Sequence, residues 1–350
     1  MPTKRVLVAL SGGVDSSVSV HLLRQQGYEV EGVILEFSPA HQAAVKAAQE
    51  VADQLGITLH VVKCHEEFEK NVILPFCREY QAGRTPNPCI FCNPTTKFQL
   101  ILKAADDLGF DYIATGHYAR VEHEDGRTVL RKSACLQRDQ SYMLYRLTQE
   151  QLSRLILPLE GMEKTEVREI ARSLDLACAN APDSQEICWI PDSDYASFIE
   201  ERFGKCQPGD FISPDNQVCG THKGLLHYTV GQRKHLGIAL GYPVFIREID
   251  PDTNRIYLAR GGEEYADGVT LSDCVIQPSD CLIPGEKDTC HANVKVRSRA
   301  SDAPATITLL PDNKAKITFD TPQRAPAPGQ SCVIYDGDTV LGGGYIDKQL

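Results

Sequence analysis

Hydrophobic and polar positions along the first part of the chain follow two alternating periods. An unbroken apolar run at 6–10 reads as a buried strand, and beyond Gly13 the spacing lengthens to a helix at 16–26 with Val18, Leu22 and Leu23 on one face. A strand at 29–36, an alanine-rich helix at 43–55 and a strand at 57–62 continue the pattern. A helix at 98–108 and a strand at 112–115 come next, then a hairpin at 119–131 turning at Glu124-Asp125-Gly126, and helices at 149–155 and 164–174. Strands and helices in this rhythm predict an α/β doubly wound parallel sheet. From about Phe203 the period falls to two, with strands at 243–249, 255–259, 292–297 and 314–319 between Gly, Pro and Asp turns. That change predicts a β-rich central module and a C-terminal β-barrel. The expected domains are 1–202, 203–267 and 268–350, with residues near 156–178 packing with the central module.

The first strand-to-helix junction carries Ser-Gly-Gly-Val-Asp-Ser-Ser at 11–17. Two glycines let the backbone turn sharply and aim N–H groups at an anion, and helix polarity adds to that. The hydroxyls of Ser11, Ser16 and Ser17 are further donors, and Asp15 can hold a Mg²⁺ that binds phosphate. A bare Gly-Gly would be an ordinary turn; the full string is more specific, and it lacks the Gly-Lys-Ser/Thr ending of a Walker loop. Ligands of parallel sheets lie at the carboxyl ends of strands. Leu35, at the end of the second strand, is therefore expected near the adenine, and Gly116, after the strand at 112–115, offers a second close approach.

Composition narrows the class. The 350 residues suffice for two or three cores, and no apolar run reaches the ~20 residues of a membrane span. The first strand begins at once after Lys4, so no leader peptide is expected, and the thirteen cysteines read as reduced and cytoplasmic. A net charge of −11 argues mildly against nucleic acid. Against that stand two stretches without acid: 221–247, with Lys223, Arg233, Lys234 and Arg247, and 292–300, with Lys295, Arg297 and Arg299. A charged strand face is usually only solvated.

Residues 82–98 hold Pro86, Pro88, Pro94, Cys89 and Cys92, which predicts a rigid loop rather than regular structure. Taken alone, Cys89 and Cys92 read as half a zinc site or a redox pair, and Cys188, beside the single Trp189, as a packing cysteine.

In combination, several strings resemble the tRNA-specific 2-thiouridylase family (MnmA/TrmU type) of the N-type ATP pyrophosphatase superfamily. They are the loop at 11–17, Gly-Arg-Thr-Pro-Asn-Pro at 83–88 with Cys92, Ala-Thr-Gly-His-Tyr at 114–118 and Asp-Gln-Ser-Tyr at 139–142. Asp-Ser-Gln-Glu-Ile-Cys at 183–188, Thr-Val-Gly-Gln-Arg-Lys at 229–234, Pro-Gly-Gln at 328–330 and Leu-Gly-Gly-Gly at 341–344 complete the order.

The resemblance implies 2-thiolation of the wobble uridine U34 in the anticodon stem-loop of tRNAs for Lys, Glu and Gln. ATP with Mg²⁺ would adenylate the C2 oxygen, and sulfur would displace AMP. It assigns ATP to Ala9, Leu10, Ser11, Gly12, Gly13, Val14, Asp15, Ser16, Leu35 and Gly116. It assigns tRNA to Asn87, Pro88, Cys89, His117, Arg138, Asp139, Gln140, Arg297, Ser298 and Gln330. Asp15, Cys92 and Cys188 are the catalytic set. Two sulfur chemistries stay open. Cys188 would carry a persulfide that Cys92 attacks, with a cysteine desulfurase or relay protein as donor; or Cys89, Cys92 and Cys188 would hold a [4Fe-4S] cluster with one open iron. The chain departs from the family's pattern at Cys89, often Asp, and after Leu35, where a polar insertion is missing.

Overall fold

Val6, Leu7 and Val8 are fully buried because their strand, β1 (Arg5–Ala9), lies in the middle of a parallel sheet. The computed structural model describes residues 3–181, 187–190 and 194–350. With β2 (Glu29–Glu36), β3 (Leu59–Lys63), β4 (Tyr112–Ala114) and β7 (Leu155–Ile156), the sheet runs β3-β2-β1-β4-β7, all parallel. Sheets buried on both faces are built from continuous apolar runs, which is why periodicity revealed them. Helices Val14–Gln25 and Gln42–Leu55 pack Val18, Leu23, Val51 and Ala52 into the same core. Gly56, left-handed at φ 62°, caps the second of these, so β3 starts two residues later than periodicity predicts.

The hairpin forms as expected, from β5 (Ala119–Glu124) and β6 (Arg127–Lys132). The expected helix at 149–155 stops at Ser153, and Leu155–Ile156 pairs with Ile113 and Ala114 as an edge strand. Two residues are too short a run for a period to register. The helix Tyr195–Phe203 is also additional to the sequence reading.

The described residues fall into two compact units, Met1–Val72 with Cys89–Trp189 and Asp338–Val340, and Ile73–Pro88 with Ile190–Gly337 and Leu341–Leu350. The second holds a four-stranded sheet in the order β10-β11-β8-β9, from β8 (Gly209–Ile212), β9 (Val218–His222), β10 (Val244–Asp250) and β11 (Arg255–Arg260). It also holds the strands β12 (Tyr265–Ile276), β13 (Thr289–Lys295), β14 (Ala303–Leu310), β15 (Lys314–Arg324) and β16 (Ser331–Asp336). With β17 (Thr339–Gln349) they run β12-β15-β14-β13-β16-β17, and pairing of β12 with β17 closes a six-stranded barrel. Alternate residues such as Val269, Leu271, Ile307, Ile317, Ile334 and Ile346 are fully buried in its core.

Candidate active site

Gly12 takes φ 78°, and a Cβ there would lie 2.9 Å from the Ala47 carbonyl carbon and the Ala48 nitrogen, so only glycine makes this turn. The turn is tied internally. Ser16 Oγ donates to the Gly13 carbonyl at 3.1 Å and meets Ser11 Oγ at 3.2 Å, while Ser11 stays exposed. Ser17 is fully buried and donates to the same carbonyl at 2.8 Å. Its hydroxyl, expected to face an anion, instead stiffens the turn. Leu10 and Val14 are buried and Ala9 is half-buried. The Leu10 N–H donates to Val33 at 2.8 Å, tying the start of the turn to β2. Leu35 is buried in β2, and its carbonyl lies 3.1 Å from His41 Nδ1.

Asp15 stands in the first turn of the helix. Lys164 Nζ binds both its oxygens, at 2.7 and 2.8 Å, and the Tyr118 hydroxyl donates to one of them at 2.8 Å. Lys164 opens the helix Lys164–Ser173, whose capping box joins Glu163 and Glu166. A lysine at a helix N-terminus opposes the macrodipole, and this one is buried. The helix start was legible in the sequence but the burial against Asp15 was not, and Lys164 is the residue of this site that the motif reading missed. Gly116 is confined too: a Cβ would sit 2.9 Å from Asp15 Cβ and Ser16 N.

The proline-rich stretch is more regular than its composition suggests. Pro88–Cys92 forms a helical turn, Asn93–Lys97 a π-helical turn, and Phe98–Leu108 continues as α-helix. Pro88 can begin a helix because its missing N–H would be unpaired there, and Pro94 removes a donor from the next turn, which widens. Asn93 Nδ2 donates to the Met143 carbonyl at 2.7 Å and Gln151 Nε2 to the Pro94 carbonyl at 2.8 Å, fixing the turn from outside.

Three thiols, Cys89, Cys92 and Cys188, lie here within electrostatic reach of one another and of Lys97. Burial pushes the Cys92 thiol far up, and the neighbouring Cys188 and Cys89 thiols push it further, against the Lys97 ammonium and the Lys97 backbone N–H. Cys188 keeps solvent access yet is crowded enough by protein to be pushed up to about 11, with Cys89 adding repulsion and Lys97 opposing. Cys89 shifts the same way through burial, again with Lys97 opposing. His117 is held well below its ordinary value by burial and then by Lys97. Its ring stacks on Phe98 at 6.0 Å, and its Nδ1 lies 2.8 Å from Thr115 Oγ1. Residues 115–118 thus link the two loci: Gly116 and Tyr118 touch Asp15, while His117 feels Lys97. Residues 183–186 of the Cys188 string lie outside the described residues.

The residues expected at RNA are engaged within the protein. Asp139 accepts from the Ser133 N–H at 3.0 Å and the Ser141 hydroxyl at 2.9 Å. Gln140 Oε1 accepts from the Tyr118 N–H at 3.0 Å, and Arg138 ends the 3₁₀ turn Leu136–Arg138. In the second unit, Arg297 donates to the Ala325 carbonyl beside Gly231, and Ser298 follows in a half-buried turn. Gln330 donates to the Thr85 carbonyl at 2.7 Å. Pro88 is buried and Asn87 half-buried. Among the described residues no three His, Cys, Asp or Glu side chains are arranged to hold a metal, Cys89, Cys92 and Cys188 included. No described helix is long and apolar enough to cross a membrane.

Three family models match in chain order: a tRNA methyl transferase HUP domain over residues 4–192, a tRNA methyl transferase PRC-barrel domain over 196–260, and an aminomethyltransferase β-barrel domain over 274–346. Similar proteins include the tRNA-specific 2-thiouridylase MnmA of Carboxydothermus hydrogenoformans, 45% identical over 99% of this chain and 98% of its own length. The protein of that name from Acetivibrio thermocellus is 44% identical over 99% of this chain and 100% of its own, and that from Clostridioides difficile 42% identical over 99% of each.

Proposed function

We propose that this chain, which belongs to the tRNA-specific 2-thiouridylase MnmA family, is an ATP-dependent, AMP-forming sulfurtransferase that makes 2-thiouridine at the wobble position U34 of tRNAs for Lys, Glu and Gln. The observation that carries this reading is that the Cys92 and Cys188 thiols both lie within electrostatic reach of Lys97, as does His117, whose neighbours Gly116 and Tyr118 pack on Asp15 of the glycine turn. We further read residues 1–202 as the catalytic domain, 203–267 and 268–350 as tRNA-binding modules, and the cytoplasm as the site of action.

ATP fits the turn at 11–13, where Ser11 is exposed and Gly12 has no room for a Cβ; the N–H groups of Ser11 and Gly13, which rest on the Ser16 and Ser11 hydroxyls at 3.2 and 3.4 Å, would turn to phosphate oxygens. Asp15, whose carboxylate is shared with Lys164 but 33% exposed, would hold Mg²⁺ on its open side, and the ion would supply positive charge to the phosphates. Lys164 orients the Asp15 carboxylate and keeps a second cation at the phosphate mouth. The C2 oxygen of a splayed-out uridine attacks the α-phosphorus, and pyrophosphate leaves. A persulfide on Cys188, loaded by a cysteine desulfurase or relay protein, supplies the sulfur. The Cys92 thiolate attacks the inner sulfur of that persulfide, a Cys92–Cys188 disulfide forms, and hydrosulfide leaves. Hydrosulfide adds to C2, the C2–O bond breaks and AMP departs. A cellular dithiol then reduces the disulfide. Lys97 favours each anionic sulfur species. As they stand, the three thiols form no metal-ligand set and so do not fit an iron–sulfur cluster.

Nucleoside mass spectrometry of tRNA incubated with protein, ATP and sulfide tests the assignment, with AMP followed in parallel. Equal yields of 2-thiouridine and AMP are expected. AMP formation with another modified nucleoside would point instead to a different adenylating enzyme on the same loop.

A further inference from the structure

Residues 277–288 join β12 to β13, and this connection folds back on itself before it enters β13. Ile283 and Lys287 exchange backbone hydrogen bonds at 3.1 and 2.8 Å, closing a tight turn around Gly285 at φ 81°. Lys287 Nζ reaches back to the Asp280 carbonyl at 2.8 Å, and Ser279 Oγ bonds both backbone groups of Leu282, at 3.1 and 3.2 Å. Leu282 is buried in the barrel core, and the Asp288 carbonyl accepts from the Leu309 N–H of β14 at 2.7 Å.

The fold-back sets the two limbs of the connection side by side, so Cys281 on the outgoing limb meets Cys290 on the returning one. Their sulfurs are hydrogen-bonded to each other. Both are free thiols, half-buried against the core and open to a small solute.

We propose that Cys281 and Cys290 are an oxidant-responsive dithiol, a modification site on the barrel that a hydroperoxide converts to a reversible disulfide. The Cys281 thiolate attacks the peroxide: a sulfur–oxygen bond forms, the oxygen–oxygen bond breaks, and the alcohol leaves, or water where the oxidant is hydrogen peroxide. The Cys290 sulfur then attacks the Cys281 sulfenic acid. The sulfur–sulfur bond forms, the sulfur–oxygen bond breaks, and hydroxide leaves as water with the Cys290 proton. Two thiols are oxidised and one peroxide is reduced. Burial, then Cys281 and Asp336, push the Cys290 thiol up to about 12, so it holds its proton until this second step. The pair captures the sulfenic acid before it can advance to an irreversible sulfinic acid, and the new bond staples the connection to β13. None of this depends on the sulfur-transfer reading.

The test treats the full, reduced chain with a small excess of hydrogen peroxide, blocks the remaining thiols with N-ethylmaleimide and digests with trypsin without reductant. Cleavage after Lys287 separates the two cysteines, so mass spectrometry should find peptide 261–287 joined to peptide 288–295, and dithiothreitol should release them. Fragment ions should place the bond at Cys281 and the maleimide at Cys274. The oxidised protein should melt about 5 °C higher than the reduced one, and that rise should be lost in Cys281→Ser. In Cys290→Ser, dimedone should trap a sulfenic acid on Cys281. Oxidised protein with Cys281 and Cys290 both carrying maleimide would overturn the proposal, and so would a link from Cys290 to Cys274. An equal rise in melting temperature in Cys281→Ser would show that this bond is not the staple.

Discussion

Lys164 Nζ bridges the two carboxylate oxygens of Asp15 at 2.7 and 2.8 Å, across 149 residues of sequence. The lysine side chain is 10% exposed and the aspartate 33%, so the pair is partly shielded and stronger than a surface bridge. It holds the one acidic group of the glycine turn in a fixed orientation before any nucleotide arrives.

Replacing Lys164 by Met should therefore weaken both folding and chemistry. Removing one partner of a well-buried pair costs about 3–5 kcal/mol, and the open face of Asp15 reduces this to roughly 2 kcal/mol. Urea denaturation reads that loss. AMP formation should fall at least about tenfold, corresponding to 1.4 kcal/mol of lost stabilisation. A variant with normal AMP release would leave Lys164 a purely structural residue.

Gly116 should tolerate no side chain. An alanine Cβ would stand 2.9 Å from Asp15 Cβ and from Ser16 N, inside van der Waals contact, and would push the turn away from the phosphates. Gly161 provides the comparison, since its nearest neighbour would be Ala134 Cβ at 4.0 Å. Calorimetric titration with ATP should show affinity reduced about tenfold or more in Gly116→Ala and unchanged in Gly161→Ala. Equal affinities would mean that the nucleotide does not use this turn.

The thiol chemistry carries a pH signature. Cys188, pushed up to about 11 chiefly by burial and then by Cys89, is protonated at neutral pH, so its alkylation should quicken with rising pH until about 11. The sign for stability follows from proton binding. The folded state holds this proton more tightly than the unfolded chain, so the contribution is full below the ordinary thiol value and fades as pH climbs towards 11. Because Lys97 opposes the shift, Lys97→Met should move the Cys188 midpoint still higher, and Lys97→Arg should restore it. Mass-spectrometric alkylation profiles measure this directly. An unmoved midpoint in Lys97→Met would remove Lys97 from the cluster.

Much of the fold was legible because the parallel sheet and the barrel announce themselves by unlike periods. β2 and the helix Phe98–Leu108 have the predicted limits. Local rules fail where a residue's neighbour is distant in sequence. Leu155 and Ile156 become a strand only because Ile113 and Ala114 offer an edge. The proline-rich stretch folds into helical turns because Asn93 and Gln151 tie it to segments some fifty residues away. The glycine turn and the cysteines were visible as strings. Lys164 and Lys97 were not, since each acts through a partner that sequence order does not reveal.

The most direct measurement is a single turnover with persulfide-loaded protein, ATP and tRNA, quenched in acid, counting both 2-thiouridine and the peptide linking Cys92 to Cys188. One disulfide per thiolated nucleoside is predicted, with both products lost in Cys92→Ser and Cys188→Ser. Full thiolation by Cys188→Ser, or thiolation without the cross-link, would contradict it.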